Sequence, residues 1–158
     1  MYLTKDFQQL TDTIKASSRE EGEKKMLLSK LTANLNSFVD YFNHVVRSEI
    51  EAAAVIQWSP MTEFMFKKRD AERRELHNTC IIACKEIDYI CETVGCEPIC
   101  RITDENDRHK VAELCGIVVG GLYLSGIHSE KTFDKLVEEF KESKERLVHK
   151  EDINDWEL

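Results

Sequence analysis

Along most of this chain, apolar residues recur every three or four positions, the spacing of one face of an α-helix. Leu3, Phe7, Leu10 and Ile14 open the pattern and predict a short helix over 1–16. The polar stretch ASSREEGEKK interrupts it, so 17–24 read as a connection. From Lys25 to Trp58 a long run carries Leu28, Leu31, Leu35, Phe38, Phe42, Val45, Val46, Ala53 and Ile56, close to the helical period of ~3.6. Pro60 disfavours helix at Ser59 but suits the first position of a new helix, with Ser59 as its cap. That third run holds Met65, Phe66, Leu76, Cys80, Ile87, Ile90, Cys91 and Val94, and Gly95 fits the left-handed residue past its end. CEPICRIT, residues 96–103, is the one loop with extended character. Thr103 or Asp104 can cap a fourth helix, with Val111, Leu114, Cys115, Val118 and Leu122. Ser129 can cap a last one, with Phe133, Leu136, Val137, Phe140 and Leu147.

No repeat or β alternation intrudes. The expected fold is all-α, a single-domain helical bundle of four main helices plus a shorter N-terminal helix. Residues 1–158 form one domain: N-terminal helix 1–16, connection 17–24, helical core 25–150 and acidic tail 151–158.

Projecting each run at ~100° per residue sorts side chains onto faces. In the helix after Pro60, Arg73 falls inside the apolar stripe of Leu76, Cys80, Ile87 and Cys91. Asp70 and His77 flank it, one turn away on either side. Asn78, beside His77, projects outward, as do Arg74, Glu75 and Lys85. In the preceding helix Glu49 falls mid-stripe, while Arg47 and Glu51 point out. The tight turn predicts antiparallel packing. Glu49 lies about ten residues before it and Asp70 about ten after, so at ~1.5 Å per residue both reach one depth. Glu49, Asp70, Arg73 and His77 should therefore converge. Charges leaving water must be paired or shift their pKa. The structural expectation is a buried network in which Glu49 and Asp70 hold Arg73 while His77 donates to one carboxylate. The functional alternative is a small-molecule, metal or acid/base site, and Glu49, Asp70, Arg73, His77 and Asn78 are its candidate binding residues.

Composition narrows the classes. Lys plus Arg number 22 against 30 Asp plus Glu, a net charge of −8 over 158 residues. Such a surface repels phosphate backbones. FKKRDAERR is basic but interspersed with acids and has no second basic patch, so nucleic acid is not an expected partner. No apolar run approaches the ~20 residues that span a bilayer, and MYLTKDFQQL has no signal-peptide core. A cytoplasmic protein with six reduced cysteines is expected.

The run DAERRELHN, then KEID, EPI and DRHKVAELCG, resembles a family of small bacterial helical proteins of unknown function, over roughly residues 35–125. The resemblance rests on the D-x-x-R-x-x-x-H-N spacing of Asp70, Arg73, His77 and Asn78. It implies a helical fold and a bacterial origin, and it assigns no activity or role to any residue.

Cys80 and Cys84, then Cys96 and Cys100, make two C-x3-C pairs. The pattern is similar to the twin motif of small mitochondrial intermembrane-space chaperones, but here the second pair straddles Pro98 and the chain is longer. Cys80, Cys84, Cys91 and Cys115 read more simply as small core residues. The C-x2-C spacing usual in zinc sites is absent, as are the Glu-x-x-His pairs of di-iron bundles, phosphate loops and nucleophile elbows. No catalytic residue, metal ligand or cofactor is assigned. The helix around Ala112, Gly116 and Gly120 is apolar nearly all round, as in a bundle centre or a homodimer seam. Trp156 in the tail could dock on a partner. The functional expectation is a non-enzymatic interaction or oligomerisation module with a buried polar network, its partner a second copy of the chain or another protein. The alternative is a small-molecule or metal-binding protein or enzyme built around Glu49, Asp70, Arg73 and His77.

Overall fold

The computed structural model describes residues 5–54, 60–124 and 133–143 in helices, with the connections 17–20 and 95–107 between them. Side chains are described over 6–52, 63–120 and 134–141. Leu3, Trp58, the Ser59 and Ser129 caps, Leu147 and the acidic tail with Trp156 lie outside the described residues, as do the side chains of Ala53 and Leu122. Among the described residues five helices follow one another: α1 (Lys5–Ala16), α2 (Glu21–Ala54), α3 (Pro60–Val94), α4 (Arg108–Leu124) and α5 (Phe133–Ser143). The fold is all-α, and no strand occurs among the described residues. No helix of the described residues is long and apolar enough to cross a membrane.

The apolar stripes face one another. Phe7, Leu10 and Ile14 of α1 join Leu31, Leu35, Phe38, Val39, Phe42 and Val46 of α2 in a core with Cys80, Ile87 and Cys91 of α3. Each fully buried side chain of that size contributes roughly 1.5–3 kcal/mol. Phe42 meets Phe140 edge to face, ring centroids 5.2 Å apart, which fastens α5 to α2. Between residues 111 and 120 of α4 only Glu113 is exposed. The all-round apolar character of that stretch is used inside the bundle, against α2, α3 and α5.

The α2–α3 pair is antiparallel, and its register is legible from side-chain bonds. The Cys80 thiol donates to the Ser37 carbonyl (3.4 Å), a His44 ring nitrogen bonds the Arg69 carbonyl (3.2 Å), and Arg69 pairs with Glu51. As numbers rise on α2 they fall on α3, so Glu49 does stand near the level of Asp70.

Two boundaries differ from expectation. Helix α2 begins at Glu21, four residues before Lys25, so the connection is shorter than 17–24. Polar sequence there is the wet first turn of a helix, with Glu21 and Glu23 placed favourably at the positive end of its dipole. The cap of α4 is neither Thr103 nor Asp104 but Asp107, whose Oδ1 accepts the Lys110 amide at 3.0 Å. Asp104 instead closes the preceding turn by accepting the Asn106 amide at 2.9 Å.

Candidate functional site

Residues 66, 70, 73 and 77 form one line along α3, since steps of four, three and four return to the same face. From Asp70 onward burial deepens along it: Asp70 is exposed, Arg73 half-buried and His77 buried at 9% exposure. Asp70, Arg73, His77 and Asn78 line a cavity of about 480 Å³ together with Tyr41 of α2, Arg74 of α3, and Asn106 and Arg108 at the start of α4.

His77 is the fixed point of this cavity. Its Nε2 lies 2.7 Å from the Glu105 carbonyl oxygen. A carbonyl only accepts, so Nε2 carries the proton and donates it. The other ring nitrogen, Nδ1, is buried and has no hydrogen-bond partner. Such an orphan costs about 1–3 kcal/mol, which a bound partner would recover. Glu105 itself is tied to α3 through the Lys85 ion pair, so the carbonyl that orients His77 is held from both sides.

The polar network expected among Glu49, Asp70, Arg73 and His77 does not form. Glu49 is engaged by Lys141 of α5 at 3.1 Å, and His77 donates to backbone rather than to a carboxylate. No carboxylate of the described residues stands within ion-pair distance of Arg73. The reason is tertiary: α5 delivers a lysine to the level where the hairpin alone would leave Glu49 for Arg73. Glu49 consequently lines a neighbouring cavity with Asp70 and Arg73, not the one that holds His77.

Electrostatically the cavity inverts the sign of the molecule. Three guanidinium groups (Arg73, Arg74 and Arg108) face one carboxylate, Asp70, in a chain of net charge −8. Arg108 opens α4, where the helix dipole adds partial positive charge. Burial pushes the Tyr41 phenol above its ordinary pKa, while the Arg73 guanidinium pulls it back down. The volume falls in the ~300–1,000 Å³ range of small-molecule sites and exceeds what a single oxyanion fills.

Tyr41, Asn106 and Arg108 were invisible to a reading of α3 alone, since they arrive from α2, the 95–107 connection and the first position of α4. The thiols do not form the twin-pair arrangement. All six are free, and five are buried. Cys84 approaches Cys100 and Cys80 approaches Cys115, so the first C-x3-C pair is split between a thiol of the second pair and one of α4. Among the described residues no three His, Cys, Asp or Glu side chains are grouped to hold a metal ion.

Compared with family models, curated proteins and solved structures, the chain matches none of them. The resemblance carried by Asp70, Arg73, His77 and Asn78 is therefore one of spacing, and the site is read from its own chemistry.

Proposed function

We propose that this helical bundle is a binding protein for a small molecule bearing an oxyanion, a phosphate or carboxylate, held in the cavity between α2, α3 and the start of α4. The observation that carries the reading is the convergence of Arg73, Arg74 and Arg108 on one cavity. Guanidinium forks match oxyanions in geometry as well as charge. A reducing, cytoplasmic setting fits the six free thiols.

Calorimetric titration with inorganic phosphate, sulfate and acetate tests this. At least one should bind, more weakly as salt rises. Arg73→Gln and Arg108→Gln should each weaken it about tenfold or more, the loss of one charge-assisted hydrogen bond. Arg47→Gln, at an exposed position on α2, should change nothing. A wild-type protein that binds none of the three overturns the reading.

A second reading, docking on a protein or another copy, is supported by one feature. Ile82 and Tyr89 stand 58% and 69% exposed, two turns apart on the same face of α3. Light scattering of wild type against Ile82→Glu checks it: an oligomer that dissociates in the variant supports docking, and a monomeric wild type removes self-association.

A further inference from the structure

The cationic cavity does not end at Arg73. Asp70 and Arg73 also line a second cavity of about 630 Å³, further toward the start of α3, whose walls include Phe66, His44, Ser48 and Glu49. The two cavities differ in chemistry. In the first, no carboxylate of the described residues pairs with Arg73. In the second, the other cations are already neutralised: Arg69 by Glu51, and Lys141 by Glu49 and Glu138. What the second offers is a flat surface. The Arg69 guanidinium sits 5.7 Å from the centroid of the Phe66 ring, and the Glu51 ion pair together with the His44 bond to the Arg69 carbonyl holds that residue in place.

Three kinds of group therefore follow one another in order along a single face of α3. Arg73, one turn from His77, forms a cationic end with Arg74 and Arg108. Asp70 is an exposed carboxylate at the junction of the two cavities. Phe66, stacked with Arg69, is an aromatic end. From this order we propose that the ligand is a nucleoside monophosphate, a deduction that rests on the oxyanion reading above and names the class of molecule. The phosphate sits among Arg73, Arg74 and Arg108. Asp70 accepts hydrogen bonds from the sugar hydroxyls, as carboxylates do for ribose elsewhere. The base lies against the Phe66–Arg69 pair, since flat heteroaromatic rings stack on phenyl and guanidinium planes alike. Phe66 and Arg73 are seven residues apart, ~10 Å along the helix, a separation that the sugar of one nucleotide bridges. The Ser48 hydroxyl gives the edge of the base a polar neighbour.

Four probes on the intact protein test the order: inorganic phosphate, ribose 5-phosphate, adenosine and adenosine monophosphate, each by calorimetry. The expected series has the monophosphate tightest, at least tenfold tighter than ribose 5-phosphate, which is itself tighter than phosphate. Phe66→Ala should erase the advantage of the monophosphate over ribose 5-phosphate and leave phosphate binding as it was. Asp70→Asn should narrow the step from phosphate to ribose 5-phosphate. Equal affinity for ribose 5-phosphate and the monophosphate overturns the nucleotide proposal while leaving the oxyanion site intact. Adenosine binding as well as the monophosphate, or no probe binding at all, overturns both. Phe66 lies at the partly exposed rim of the bundle and outside its buried core, so Phe66→Ala should stay folded, and an unchanged circular dichroism melt verifies that.

Discussion

Asp88 shapes the cavity without lining it. Its carboxylate accepts three backbone amides from the α3–α4 connection: Ile99 at 3.1 Å and Cys100 at 2.9 Å on Oδ1, and Arg101 at 2.9 Å on Oδ2. Three charge-assisted bonds pin a loop that also carries the Glu105 carbonyl, Asn106 and Arg108. They hold Arg101 in the left-handed region at φ 52°, where a side chain with a Cβ is strained by about 1–2 kcal/mol. Asp88→Ala should therefore cost roughly 2–4 kcal/mol, read as a lower urea midpoint. It should also weaken oxyanion binding, because the carbonyl that orients His77 loses its anchor. Asp88→Asn keeps one acceptor oxygen and should cost less. A stability loss under about 0.5 kcal/mol for Asp88→Ala would show that the loop holds itself. At this scale the sequence revealed what shares one helix. Asp70, Arg73 and His77 fall together by projection, Asn78 projects outward beside His77, and all four line one cavity. It could not reveal Arg108, Asn106 or Asp88, because their roles depend on a loop closure that periodicity does not encode.

Helix ends show the same division between local and tertiary information. The end of α3 is local, and Gly95 was legible as its left-handed terminator. It has φ 80°, and around it the Cys96 amide donates to the Cys91 carbonyl (2.8 Å) and the Gly95 amide to the Glu92 carbonyl (3.2 Å). That is the doubly bonded helix ending in which glycine is preferred. A Cβ added at Gly95 would meet nothing within 4 Å, so Gly95→Ala isolates the conformational cost. It should destabilise by about 1–2 kcal/mol with an unchanged denaturant slope. A neutral result would mean that the loop relaxes to a right-handed ending. The antiparallel register of α2 and α3 was legible too, because equal counting from a tight turn fixes depth. The start of α4 was not, since Thr103, Asp104 and Asp107 are all competent caps and only the fold of the loop chooses among them. Nor was the fate of Glu49, which depends on where α5 crosses α2 and sets down Lys141.

For the molecule as a whole, the buried thiols make stability depend on alkaline pH. Cys80, Cys84, Cys91, Cys100 and Cys115 are interior, while Cys96 is half-buried at the end of α3. Burial pushes the Cys91 thiol from 9.0 up to about 11, with the Asp88 carboxylate adding to the rise. The Cys84 thiol, followed by burial, raises Cys100, and burial foremost raises Cys115. For each, the folded state holds its proton more tightly than the unfolded chain. The contribution to stability is therefore complete below pH 9 and is lost as pH climbs from about 9 through the folded-state value. For Cys91 alone the loss approaches about 2–3 kcal/mol by pH 11. The melting temperature should thus hold level from pH 7 to 8.5 and fall steeply by pH 10.5. Rising negative charge on an acidic chain also destabilises at high pH, but it acts on every variant alike. Cys91→Ala separates the two effects, because removing the thiol should flatten the alkaline fall even if it lowers stability at neutral pH. Equal alkaline slopes in the variant and wild type would assign the fall to general charge repulsion. Alkylation offers an independent reading of the same interior. At pH 8 iodoacetamide should modify Cys96 first, with the other five following only at the rate of unfolding, since the thiolate is the nucleophile and burial withholds it.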